Sequence, residues 1–488
     1  MPPSPRRKAC AEAIAVRRLL HVCLPASRAI ACACALVAAA QAAALETEEE
    51  PVIDAASLVE PALLSGPGFS VDPHVELRGY MAHFKIDTRF GSIDAPSVEL
   101  LAEREAELPA LERLDAATHS EAFTRAAGDR LVKTGKSLAN IALHPLETIT
   151  GIPSGVARFL RDKLVKLGNQ AQSLSDRAAR KLGGSGNPYP SDDGPMTDAR
   201  AGDAEDAPKK KRKNWFTRAS SEGERFIKRE IKYNSVKRDI AKRLGIDPYS
   251  SNPYVQERLS SLAWVGSAGN FSAGSALGAV GGVGADVLSQ GGRIDEVVWR
   301  LSPEELRARN ETRLLAHCRD NLLVRQFLRR GAFSPTLQTS LVDAIDAIDA
   351  LRPDDGCDRF LELAITAQNE LEARYIVNGL ALVRAHLGTR AKGGRLVTIG
   401  AGFAYITTDG ELVLPLAVDR LIWTSEVAAF LSRREFEVER KTALIGGNAS
   451  ALAQRGLAEG GWATSLRAPR KNAPPYANPE LGAAGGDD

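Results

Sequence analysis

Apolar and polar positions alternate along Tyr80-Met81-Ala82-His83-Phe84-Lys85-Ile86-Asp87. That two-residue period, within residues 71–94, predicts a short strand or hairpin turning near Phe90-Gly91. Helical spacing then takes over. Val98, Leu101, Leu108, Leu111 and Leu114 predict a helix from about Ser97 to Ala127, with Pro109 expected to kink or interrupt it. A further helix is expected over 129–143, and Ser154 is a candidate N-cap for another running to about Leu182. Residues 183–213 are rich in Gly, Ser, Pro and Asp, have no apolar period, and read as a disordered linker ending in a basic run.

Periodicity resumes as a basic helix over 214–246, followed by the turn Asp247-Pro248-Tyr249-Ser250-Ser251-Asn252-Pro253 and an uncharged stretch, Leu259 to Ala285. Ser302-Pro303-Glu304-Glu305 has the residues of a capping box with proline at N1. Ser334-Pro335 starts another helix, and a third is expected as one piece from about Asp358 to Leu387, stopped by Gly388. Beyond residue 395 the pattern changes. Phe403–Thr408 and Glu411–Val418 flank Asp409-Gly410, a strong hairpin signal. A helix near 425–434, a strand near 437–446, a helix near 449–458 and a strand near 462–466 follow.

The expected fold is therefore mainly α with a small C-terminal α/β unit containing a β-hairpin, α+β overall. The expected divisions are a leader at 1–44, an acidic region at 45–182 and the linker at 183–213. A basic and Gly-rich segment at 214–300, a helical plus α/β domain at 301–466 and a disordered tail at 467–488 complete them.

The leader reads as a signal peptide. Arg6, Arg7, Lys8, Arg17, Arg18 and Arg28 form a long basic region, and the apolar run of residues 29–44 ends in Ala40-Gln41-Ala42 and Ala42-Ala43-Ala44, small-residue cleavage patterns. The run is shorter than the roughly 20 residues that span a bilayer. An uncleaved anchor or an Ala-rich buried helix is the alternative. Cleavage would move the formal charge from +2 to about −3, which removes any global basic signal for nucleic acid. It would also reduce six cysteines to Cys318 and Cys357. In an oxidising compartment these are expected to pair, closing a loop worth about 4 kcal/mol in the chain-entropy model. Two buried free thiols are the alternative, because Cys318 lies on an apolar stripe with Leu314 and Leu322.

A chain with 44% hydrophobic and 25% charged residues is not wholly disordered, collagen-like or a polytopic membrane protein. Its Ala, Arg and Gly-rich composition looks like that of an exported protein from a bacterium with GC-rich coding. No HExxH, paired CxxC or GxSxG motif occurs. Lys133-Thr134-Gly135-Lys136-Ser137 has the end of a phosphate-binding loop, but Arg130 stands where its first glycine belongs. His74, His83, His119, His144, His317 and His386 are scattered without metal spacing. Asp343, Asp346 and Asp349 recur every third residue. They suggest calcium or, with Leu341, Ile345 and Ile348 between them, the wet face of an amphipathic helix. No catalytic, cofactor-binding or metal-binding residue is nominated, and the balance leans against an enzyme. A non-local site would be sought near Asp409, Glu411 and Asp419.

Contact surfaces are the stronger expectation. Lys209, Lys210, Lys211, Arg212 and Lys213 precede Trp215 and Phe216, and residues 208–243 hold 14 basic against 4 acidic side chains. Gly274, Gly278 and Gly282 form a glycine zipper, whose bare face lets a second helix approach closely. The expectation is an exported, periplasmic or extracellular, non-enzymatic envelope protein contacting an unknown protein or an anionic membrane surface. A secreted membrane-active or host-delivered protein is the runner-up. No nucleic-acid partner, cofactor or small-molecule substrate is inferred. Residues 45–122, with 17 acidic and 5 basic side chains, could instead neutralise the basic helix within the chain.

Overall fold

The computed structural model describes residues 47–134, 221–267, 294–348, 356–390, 393–400 and 402–477, with side chains described outside 128–134 and 221–231. The chain begins with six strands: β1 (Val52–Asp54), β2 (Ser65–Gly66), β3 (Phe69–Val71), β4 (His74–Arg78), β5 (Met81–Thr88) and β6 (Gly91–Ala95). The order is β1-β4-β5-β3-β2, with β6 also on β5, all antiparallel. The period of two buries Val75 and Leu77 on β4 and Ala82, Phe84 and Ile86 on β5. The β5–β6 hairpin turns at Arg89-Phe90, as its alternation predicts, and Gly91 takes φ 127, open to glycine without strain. The tighter β4–β5 turn places Tyr80, a non-glycine, at φ 66.

Two helices follow, α1 (Val98–Thr118) and α2 (Glu121–Thr134). Ser97 caps α1 by accepting from the Leu100 N–H. The helix runs unbroken through Pro109, and the break expected there falls instead at His119-Ser120. Pro109 is exposed, so its ring and missing donor lie where water is available. Next come α3 (Ser221–Leu244) and α4 (Pro253–Gly266), joined by the polar turn read from the sequence. Asn252 caps α4, and Trp299 Nε1 donates to the Ile246 carbonyl at 2.8 Å to hold the turn.

The central helices are α5 (Glu296–Arg300), α6 (Pro303–Leu314), α7 (Asn321–Phe327), α8 (Pro335–Ile348), α9 (Gly356–Ile365) and α10 (Glu370–Leu387). Ser302 and Glu305 form the capping box at α6. The single helix expected over 358–387 is two helices. Asn369 accepts from the Glu372 N–H at 2.9 Å while Glu372 reaches back to the Gln368 N–H at 2.8 Å, restarting the chain as α10.

The last third alternates strand and helix: β7 (Arg395–Ile399), β8 (Gly402–Ile406), β9 (Leu412–Leu416), β10 (Arg420–Leu421), α11 (Ser425–Leu431), β11 (Lys441–Ile445), β12 (Asn448–Ala449), α12 (Ala451–Glu459) and β13 (Ala463–Ser465). The order is β13-β11-β9-β8-β7. β9, β11 and β13 are parallel; β7 and β8 are antiparallel neighbours, and Gly410 at φ 84 makes the Asp409-Gly410 turn. Helix α10 lies against β9. Gly379 permits this, since a Cβ there would stand 2.8 Å from the Phe403 ring. Phe360 of α9 meets Phe403 edge-on at 5.2 Å. The molecule is thus of mixed α and β class.

The expectation of an unstructured tail from residue 467 fails for residues 467–477. The N–H groups of Arg467 and Ala468 donate to the carbonyls of Gly447 and Ile445, and that of Ala477 to Leu58. Residues 466–477 thus form a strap that reaches the N-terminal residues, with Val59 and Tyr476 bridged.

Candidate functional site

Ligands of parallel α/β sheets are held outside the carboxyl ends of the strands, because loops and helix termini converge there. In this chain β9 runs out through Ala417 to Asp419, β11 through Gly446-Gly447, and β13 into the strap. Gly447 lies against the Asp419 backbone so closely that a Cβ would collide with it. The N-terminal sheet closes over the same end. Tyr80, in its left-handed conformation, turns its carbonyl to accept from the N–H groups of both Asp419 and Arg420 at 3.1 Å, and its hydroxyl shares a 2.8 Å bond with Thr424. An unfavourable φ at a bulky residue persists only where surrounding contacts fix it, as these do.

Asp419 is 2% exposed. Its Oδ2 accepts from the Ala82 N–H at 3.0 Å and the Val98 N–H at 3.1 Å, and its Oδ1 from the Tyr476 hydroxyl at 2.8 Å. One carboxylate therefore ties together β5, the start of α1, the end of β9 and the strap. Burial pushes its pKa up to about 6, against the pull of those three donors. Burial and the Asp419 charge raise the Tyr476 phenol well above its ordinary range.

Beside Asp419 lies a buried ion-pair network. Glu99 accepts from Arg374 at 2.7 Å and from Asn378 and Arg470 at 2.5 Å. Burial alone would raise Glu99, but the Arg470 and Arg374 guanidiniums overrule it and hold it down at about 2. Arg374 also pairs with Glu103 and Glu370, each at 2.7 Å. One turn further along α1, Arg104 and Glu107 pair at 3.1 Å, and Glu107 accepts from Asn252 at 2.9 Å and from Ser250. The polar turn before α4 is thus a partner of α1. The cavity enclosed by Ser97, Glu99, Arg374, Asn378, Asp419 and Tyr476 measures about 10 Å³, room for one water. Chemically this is a filled crevice: where a ligand would sit, the chain has placed its own carboxylates, guanidiniums and phenol in mutual satisfaction.

The residues expected from the sequence fall elsewhere. Lys209, Lys210, Lys211, Arg212, Lys213, Trp215, Phe216, Gly274, Gly278 and Gly282 lie outside the described residues, as do the leader, the 183–213 linker and Asp349. Residues 259–266 of the uncharged stretch form the end of α4, where Leu259, Leu262 and Val265 are buried. Cys318 and Cys357 are buried and stand at disulfide distance, Cα to Cα 5.0 Å. Asp409 and Glu411 stand before β9 and Asp419 after it, so they form no common site. Glu411 instead receives Thr442 at 2.7 Å, Arg390 at 2.9 Å and His386 at 3.3 Å. Asp343 and Asp346 are ion-paired with Arg313 of α6, and His317 meets Asp346 at 2.6 Å. That occupies two of the three carboxylates considered for calcium. Among the described residues no three His, Cys, Asp or Glu side chains are grouped to hold a metal, and no helix is long and apolar enough to cross a membrane.

Acids of α1 pair with Arg104, Arg374, Arg470 and Arg258, and Lys242 of α3 pairs with Glu296. Sequence reading missed Glu99, Glu103, Glu107, Arg374, Arg470 and Tyr476. The available signal was the spacing of the three glutamates, four apart on one face of a leucine-rich helix. No protein-family model, curated protein or solved structure matches this chain.

Proposed function

We propose that this is an exported, non-enzymatic envelope protein that works through contacts with a protein partner or an anionic membrane surface. The observation that carries the reading is the filled crevice. The described residues use the carboxyl-end site to fasten the N-terminal sheet, α1, α10 and the strap together, which supports a scaffold better than a catalyst. The paired positions of Cys318 and Cys357 support export, because structural disulfides persist in oxidising compartments. On this reading the strand-rich residues 395–466 are a small α/β unit carried by a mainly helical body. The contacts are assigned to the basic run Lys209–Lys213 with Trp215 and Phe216, and to the glycine zipper Gly274, Gly278 and Gly282.

Deleting residues 268–285 leaves the described helix α4 and its cap at Ser267 in the chain. The deletion is expected to release the protein from the envelope fraction while its melting temperature stays that of the full chain. Unchanged envelope association would refute the assignment. Dye release from anionic vesicles by the intact protein, lost on the same deletion, would favour the membrane-active alternative.

A further inference from the structure

The junction between α1 and α10 holds more acid than base. Among the described residues, four carboxylates, Glu99, Glu103 and Glu107 of α1 and Glu370 of α10, meet three guanidiniums, Arg104 of α1, Arg374 of α10 and Arg470 of the strap. Two further acids flank the group, Asp247 in the α3–α4 turn and Asp419 beyond β9. Neutral groups also face it: Ser250, Ser251 and Asn252 of the turn, Asn378 of α10 and Tyr476 of the strap. Fully ionised, the four-by-three core would carry one uncompensated negative charge. The side chains of Glu99, Glu103 and Glu370 are 21%, 22% and 28% exposed, so water screens a like-charge neighbour at helix-turn spacing only in part. A proton removes the remaining repulsion most cheaply.

Glu103 is the natural holder. It lies one turn from Glu99 and one turn from Glu107, so it has a like charge on each side. It shares Arg374 with Glu99 and Glu370, and Arg104, at 3.8 Å, is closer to Glu107. We propose that Glu103 carries a proton in the closed molecule, and that losing it in alkaline medium loosens α1 from α10 and the strap, making the junction a proton-sensitive latch. The electrostatics agree in direction. Burial, with Glu107 and Glu370, raises Glu103 to about 7 against Arg374 and Arg104, and burial raises Asp247 and Asp419 to about 6. A carboxyl raised on folding stabilises the folded state at low pH, and that stabilisation is lost as pH rises through its folded value.

Hydrogen exchange of the full chain, corrected for the intrinsic effect of pH and read at about pH 6 and about pH 8.5, tests the latch. Protection in peptides from 97–118 and 466–477 is expected to fall about tenfold or more at the higher pH, while peptides from β7–β9 hold theirs. Glu103→Gln, which keeps the acceptor for Arg374 and removes the titration, is expected to keep protection at both. Equal protection at both pH values in the wild type, or an equal loss in Glu103→Gln, would overturn the proposal. Should that variant fail to fold, infrared titration of the wild type decides. A protonated-carboxyl band present near pH 7 and lost by about pH 8.5 supports the latch, and no such band overturns it.

Discussion

Asp419 shows what a single buried carboxylate does here. It receives two backbone N–H groups from the N-terminal segment and one phenol from the strap, so its loss would release several elements together. Its raised pKa means the folded state takes up a proton that the unfolded chain binds only at lower pH. Stability from this group is present below the ordinary aspartate range and lost as pH climbs through about 6. In Asp419→Asn the amide oxygen keeps the two N–H bonds and the amide nitrogen can donate to Tyr476. The variant is expected to gain about 2 kcal/mol on wild type between pH 4 and pH 8, from a shift of roughly two pH units. Parallel pH–denaturation curves for the two proteins would contradict this. His83, which burial and Arg78 depress to about 4, works in the opposite sense, but it is common to both proteins and cancels. None of this network was legible locally. The partners of Glu99 lie 275 and 371 residues away, and no spacing along one chain encodes that. Glu99, Glu103 and Glu107 instead read as part of the acidic stretch 45–122.

At the scale of elements, local chemistry was legible where it is self-contained. The Ser302 and Glu305 box needs only four consecutive residues, and both of its bonds are present. Ser302→Ala is expected to cost about 1 kcal/mol, read as a lower melting temperature with no change in overall secondary structure. An unchanged melting temperature would mean that tertiary packing alone holds α6. The β5–β6 hairpin was legible from the two-residue period along β5, and the β8–β9 pairing from two apolar runs that flank Asp409-Gly410. Pro109 misled because a proline signals a lost donor without saying which side of the helix it faces. The α9–α10 break was missed although Asn369 and Glu372 have capping-box spacing, because apolar residues on both sides continue a helical period across it. Tail composition misled in the same way. Pro- and Gly-rich sequence reports the lack of regular structure, yet Arg470 and Tyr476 are held by partners that composition does not contain.

At the scale of the molecule, the first and last described segments converge on the carboxyl ends of its parallel strands. The N-terminal sheet supplies Tyr80 and Ala82, α1 supplies Glu99, and the strap supplies Arg470 and Tyr476. A site that would be open in a ligand-binding sheet is filled by the chain's own side chains, which is why we propose that contact segments elsewhere in the sequence are the working parts. The proposed role requires export, in which the leader would be removed and Cys318 and Cys357 would pair in an oxidising place. Intact mass of the protein purified from producing cells, taken after denaturation and thiol alkylation without reductant, reads both facts at once. The expected species lacks the first 44 residues and carries no alkylated cysteine. A species retaining its N-terminus with all six cysteines alkylated would contradict export, and with it the proposed role at the envelope.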